Sequence, residues 1–292
     1  MKPALRSAVL GLAAAAIVGA GSPVAGAGRP APTRMPMRIM SLNLCTDLLL
    51  LQIAPKSRIA SVTFMARDGA RALFPGLEIA ITVNHDLAED IVKARPDLIL
   101  DSTLGAPMTR AMARRAGARV VEVKNANSFD DIRQIVRQVG DEVGEPARAA
   151  ALIQRMDATL ATLAAHPPPR RLRVVAWSGG TAVPGKGSLT DAIITAAGAV
   201  NVAAQPGIAE SSFGVEELLV ARPDALLFGG ATLGQPSLLD DEGQHRVVRR
   251  LYAGRRIAYN DIAHTCGLPQ SADSARDLRR ALDALPKRSP AP

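Results

Sequence analysis

The sequence predicts an α/β protein of two lobes, each built on a mostly parallel sheet, joined by one long α-helix. Three observations carry this expectation. First, AEDIVKARPDLIL at residues 88–100 recurs as VEELLVARPDALL at 215–227, with Glu89 and Glu216, Arg95 and Arg222, and Pro96 and Pro223 all at one offset of 127 residues. Each copy reads as a short amphipathic helix, a Pro-Asp turn that ends it and an apolar run of strand length. Two copies so far apart suggest two lobes on a similar plan. Second, strand-like and helical stretches alternate along the chain, the pattern of parallel sheets covered by helices. Third, residues 146–165 carry apolar side chains at a spacing of three to four over 20 residues, which makes a helix of about 30 Å.

In chain order, Lys2 and Arg6 precede an apolar run, AVLGLAAAAIVGA at 8–20, and small residues at Ala25 and Ala27 give an A-x-A cleavage site. This is the pattern of a secretory signal peptide over residues 1–27, too short for a transmembrane helix. A Pro-rich leader, 28–37, follows, and the folded part is expected from Arg38. Strands are predicted at 38–42, 58–63, 97–101, 119–123, 172–177, 225–228 and 255–259, with helices at 45–53, 108–116 and 189–197. Between the halves, 128–143 and 146–165 are both helical by pattern. Ser128 caps the first, with Asp130 and Asp131 in its opening turn, and Pro146 fits the first position of the second. These limits define an N-terminal lobe at 38–145, a connecting helix at 146–166 and a C-terminal lobe at 167–292.

Composition excludes several functions. The chain has 292 residues, 48% of them hydrophobic, a net charge of +8, two cysteines and eight aromatics. Wholesale disorder and disulfide-dense scaffolds are ruled out. The basic residues are scattered, and stacking platforms for nucleic acid need more rings than this chain has, so no nucleic-acid partner is expected. Removal of Lys2 and Arg6 with the signal peptide lowers the charge to +6.

RIMSLNLCTDLLLLQIAP at 38–55, the two ARPD units, the helix between the halves and PGKGSLTDAIITAAGAVNVA at 184–203 resemble the helical-backbone periplasmic binding proteins of ABC importers for vitamin B12, ferric siderophores or haem. The resemblance runs from residue 38 to about 285. It implies two Rossmann-like lobes, a ligand cleft between them that closes only slightly, and a periplasmic location. It also implies a permease dimer as partner, docked through one glutamate per lobe. The matching residues are Glu89 and Glu216, with Glu217 adjacent and able to share or replace Glu216. Read from the helices alone, both are ordinary acids in a first turn, favoured by the helix dipole. A monomer without a resident cofactor is expected.

In α/β lobes ligands approach loops at the carboxyl ends of strands. That selects Asn43, Cys45, Phe64, His85, Trp177, Phe213, Asp261 and His264 as candidate ligand-binding residues. Trp177, the only Trp, can stack on a corrin, porphyrin or aromatic chelator, or sit in the core; Phe64 and Phe213 share that choice. His85 and His264 can coordinate cobalt or iron as neutral imidazoles, or act as surface or capping residues. Three readings of Cys45 and Cys266 stay open: a disulfide linking the lobes, thiols facing a metal or chelate, or two free buried thiols. Gly180 to Ser188 fails as a phosphate loop because Gly187 follows Lys186 where Ser or Thr is required, and Ser188 reads instead as a helix cap. No nucleophile elbow or acid–base pair signals catalysis. The leading expectation is a binding protein for a metal chelate. An exported protein holding a metal ion directly through Cys and His, and an α/β enzyme on a similar scaffold, are the alternatives.

Overall fold

A computed structural model describes residues 35–74, 81–177, 179–180, 182–208, 210–229 and 245–286. The expected signal peptide, and the leader up to residue 34, lie outside the described residues. Two sheets form, and every strand pair within them is parallel. The first holds β1 (Ile39–Ser41), β2 (Ile59–Thr63), β3 (Val83–Asn84), β4 (Leu98–Ser102) and β5 (Arg119–Val123) in the order β3-β2-β1-β4-β5. The second holds β6 (Arg173–Ala176), β7 (Val200–Asn201), β8 (Ala225–Gly229) and β9 (Arg256–Tyr259) in the order β7-β6-β8-β9. Both orders reverse direction once, between β1 and β4 and between β6 and β8. In such sheets the reversal opens a crevice at the carboxyl ends of the strands. The two short strands β3 and β7 were not anticipated, since two residues are too few for a period-two pattern.

The helices of the first lobe are α1 (Leu44–Ile53), α2 (Ala66–Leu73), α3 (Ala88–Ala94), α4 (Pro107–Arg115) and α5 (Phe129–Val143), and α6 (Pro146–Ala165) follows. The second lobe carries α7 (Leu189–Ala196), α8 (Val215–Ala221), α9 (Arg246–Leu251), α10 (Asp261–Thr265) and α11 (Ser271–Asp283). Alternate strand residues point to opposite faces of a sheet, and the core divides accordingly. Ile39, Leu98, Leu100, Val174, Ala176 and Leu227 belong to one hydrophobic cluster that continues through α1, α5, α6, α7 and α11, and so through both lobes. Met40 and Ile99 pack outward with Ile91 of α3 and Ala113 of α4. Val175 and Leu226 pack outward with Trp177, Phe213, Leu218 of α8 and Val248 of α9.

The connecting helix α6 buries Leu152, Ile153, Met156 and Leu163 in the shared core. Its approach to α5 is close: a Cβ at Gly140 would stand 2.4 Å from the Cβ of Ala149. A second covalent path joins the lobes where Cys45, in the first turn of α1, is bonded to Cys266, which caps α10, with their Cα atoms 4.8 Å apart. Around that bridge the Gln270 amide donates to Gln52 Oε1 at 2.7 Å. Next to it, Gly267 turns with φ +59 against Ala126, where an added Cβ would lie 2.3 Å from the alanine methyl. No side chain fits there.

Among the buried ionisable groups, Asp47 and His264 are shifted in opposite directions. Asp47 of α1 accepts from the Thr63 amide at 3.1 Å and from the Thr63 hydroxyl, tying α1 to the end of β2. Burial raises its pKa to about 7, against hydrogen bonds from Thr63 and Ser41 that lower it. His264 is on the buried face of α10, with Nδ1 3.3 Å from Thr190 Oγ1, Nε2 3.0 Å from Ser274 Oγ and its ring 4.3 Å from that of Tyr259. Burial lowers its pKa to about 4.

Two outcomes follow from the seam between the lobes. Replacing Cys45→Ser together with Cys266→Ser should lower the unfolding free energy by about 2–5 kcal/mol. Mass spectrometry of the denatured, unreduced native chain after alkylation should find neither cysteine labelled, whereas double labelling without reductant would remove the bridge. For His264 the folded pKa lies below the unfolded value of 6.5, so the unfolded chain takes up the proton first as pH falls. The associated stability is complete above pH 6.5 and is lost down to about pH 4, on the order of 3 kcal/mol in all. The stability gap between the native chain and His264→Gln, read by chemical denaturation, should narrow across that window. A constant gap would mean an imidazole open to water.

Candidate functional site

The loops that leave the carboxyl ends of the strands form the candidate site. After β1, Asn43 caps α1 by accepting from the Cys45 amide at 2.9 Å. Asn43, Cys45, Ser102, Lys124 and Cys266 line a narrow crevice between the lobes. The bridge thus forms part of the wall between them. Bonded to each other, the two sulfurs carry no thiolate for a metal. Among the described residues no three His, Cys, Asp or Glu side chains gather in a metal-holding arrangement.

Phe64 follows β2 and is 55% exposed. His85 follows β3 and is exposed as well. Because β2 and β3 are paired neighbours, their loops meet, and the two rings stack with centroids 5.5 Å apart and planes 17° from parallel. An exposed aromatic–imidazole stack loses apolar surface to water that a flat ligand can cover. Beside it Asp86 adopts φ 58. Its carboxyl pKa is raised, chiefly by burial and further by the nearby Asp101 charge, while Arg110 opposes the rise.

The loop after β4 is held by a network that sequence reasoning missed. Arg110 of α4 reaches back to the Ser102 carbonyl at 2.9 Å and to Asp101 at 3.3 Å. Burial raises the Asp101 pKa against the hydrogen bonds from the Ser102 amide and Arg110. The loop so fixed carries Leu104 and leads to Met108, 80% and 73% exposed. An arginine in the first turn of a helix, nine residues after an acid at a strand end, was the available signal.

Three of the candidate ligand residues are buried, and for Trp177 and Phe213 the core alternative is the one realised. Trp177 and Phe213 are fully buried on the outer face of the second sheet, and the Trp177 indole donates to the Gly180 carbonyl at 2.9 Å. Trp177 keeps the facing of Val175 two residues earlier, so strand parity turns it into the outer core. His264 is a buried residue of α10 with both ring nitrogens bonded, to Thr190 and Ser274. Asp261 opens α10 half-buried, beside Gly229 and the Tyr259 hydroxyl, whose pKa burial and this carboxylate push up. Ser188 caps α7 by accepting from the Asp191 amide at 3.1 Å, so the segment around Lys186 is a helix entry. A groove of about 630 Å³ lies between Leu73 of α2 in the first lobe and Tyr259 and α11 of the second.

On the outer faces, α3 and α8 are local copies of each other. Each buries a single side chain, Ile91 or Leu218, and each is followed by a left-handed arginine, Arg95 at φ 44, ψ 56 and Arg222 at φ 45, ψ 57. The inner acid of each first turn is used locally. Asp90 accepts from the His85 amide and Glu217 from the Gly214 amide, both at 2.8 Å. The outer acids, Glu89 and Glu216, are exposed.

A family model described as periplasmic binding protein matches residues 78–256. Among solved structures, the periplasmic haem-binding protein RhuT from Roseiflexus sp. RS-1 in apo form is 25% identical with a TM-score of 0.67, over 84% of this chain and 97% of that one. The periplasmic haem-binding protein HutB of Vibrio cholerae is 20% identical with a TM-score of 0.67, over 84% and 98%. The periplasmic vitamin B12-binding protein BtuF of Vibrio cholerae is 18% identical with a TM-score of 0.60, over 85% and 97%. No curated protein sequence matches. With more than half of its length matched by the family model and its two parallel-sheet lobes shared with solved members, this chain belongs to the periplasmic binding protein family.

Proposed function

We propose that the chain is the periplasmic substrate-binding component of an ABC importer, exported by its signal peptide, and that it captures a metal chelate between its lobes. A corrinoid, a ferric siderophore and haem are the candidate cargoes, in keeping with the haem- and B12-binding titles of similar structures. The observation that carries the chelate is the exposed Phe64–His85 stack at the carboxyl edge of the first sheet. Phe64 offers a flat apolar surface, and His85 adds an imidazole able to coordinate a metal held in the chelate. Exposed Leu104 and Met108, on the loop after β4 and the helix it enters, extend the apolar character of the edge. Docking on the permease falls to Glu89 and Glu216. Glu217 is already used to cap α8, which favours Glu216 for that role.

Titration of the purified chain with haem, cobalamin, cobinamide and ferric siderophores, followed by visible absorption, should give saturable binding of at least one. Phe64→Ala and His85→Ala should each weaken that binding by roughly three- to ten-fold. Silence across the panel, or binding indifferent to both substitutions, would overturn the assignment.

A further inference from the structure

The repeat at an offset of 127 residues places more than a glutamate on each lobe. Along α3 and its cap, Glu89, Val92 and Arg95 are all exposed, Val92 at 64%. Along α8 and its cap, Glu216, Leu219 and Arg222 are all exposed, Leu219 at 38%. The spacing of three residues moves each side chain about 60° around the helix from the last, so each triplet covers roughly a third of its circumference. The left-handed torsions that aim the two arginines differ by only one degree between the lobes. Left-handed backbone is unfavourable for a residue with a Cβ, yet a long cation occupies it in both copies. Packing does not explain the triplets: Ile91, Leu218 and their partly buried neighbours Ala94, Val215 and Ala221 seat these helices, while all six triplet residues are exposed.

We infer that Glu89–Val92–Arg95 and Glu216–Leu219–Arg222 are two copies of one docking surface for the two identical halves of the permease dimer. Each half then presents, in order, a basic group, an apolar recess and an acidic group. This rests on the importer reading above and extends it from a pair of carboxylates to an ordered acid–apolar–base pattern. The partner is fixed by symmetry: a surface repeated with its conformation on two pseudo-equivalent lobes suits a two-fold partner that offers the same contact twice. The charge order adds what two glutamates alone lack. A base at the other end of each helix sets which way along α3 and α8 the partner lies, and like charges penalise the reversed alignment.

The test measures binding of the full chain to its permease–ATPase complex in lipid nanodiscs, with thermal melting as a control for folding. Arg95→Glu with Arg222→Glu should weaken binding at least ten-fold, and Arg95→Lys with Arg222→Lys should largely restore it. Val92→Ser with Leu219→Ser should also weaken it, by several-fold, with little change in its salt dependence. Each single-lobe arginine variant should give about half of the logarithmic loss of the pair. If Glu89→Arg with Glu216→Arg weakens binding while the arginine and apolar pairs leave it unchanged, the triplet is overturned and the importer reading stands. Loss confined to one lobe likewise overturns the repeated contact. If the glutamate pair also has no effect, docking through these helices fails altogether.

Discussion

The bond between Cys45 and Cys266 ties the first lobe to the second. It closes a span of 221 residues at the seam where α1 meets α10, and a chain-entropy estimate puts its effect on the unfolded state at about 5 kcal/mol. Its mechanical consequence matters more. The lobes are joined by α6 along the chain and by the bridge across it, and one hydrophobic cluster runs through both. Gln52 with Gln270, and Ala126 against Gly267, add two further contacts between the lobes. Opening the lobes widely would expose that seam and break its packing. A cleft held this way loses little freedom when a ligand enters, which lowers the ordering cost of binding.

The same economy shows in the loops that bound the cleft. Asp47 fixes the end of β2 from within α1, and Arg110 fixes the end of β4 from within α4. The loop carrying Phe64 and the loop carrying Leu104 are thus anchored by buried polar contacts just beneath them. Their exposed side chains are presented on a rigid edge, the arrangement a recognition surface needs. Asp47 and His264 pull stability in opposite directions. Asp47, with its pKa raised, favours the fold more at lower pH, and His264, with its pKa lowered, favours it more at higher pH. Between about pH 4 and 6.5 the two contributions offset each other.

How much of this was legible in the sequence depended on the length scale of the signal. The repeat, the alternation and the long helix each extend over a dozen residues or more, and they gave the lobes, the parallel sheets and α6 with its observed ends. β3 and β7 are two residues each and carry no periodicity to read. Individual site residues depend on orientation, which strand-end position alone does not supply. Trp177 and Phe64 both follow strands, yet one lies in the outer core and the other is exposed. The alternation of Val174, Val175 and Ala176 held the answer for Trp177, because it continues the Val175 face. Asp47 sat inside the apolar run LCTDLLLL as a buried acid in waiting, and only the Thr63 contact reveals its purpose.

The link between the cleft and the outer helices follows from the bridge. α3 and α8 lie on the outer faces of different sheets, so their separation is set by the angle between the lobes. With that angle restrained by α6 and by Cys45–Cys266, the separation of the two outer carboxylates is restrained as well. A partner with two rigid pockets can then engage both lobes without first reorganising them, and the association keeps the advantage of two contacts made at once. The division of labour in each first turn supports that use. Asp90 and Glu217 satisfy backbone amides at the helix starts, which leaves Glu89 and Glu216 facing solvent.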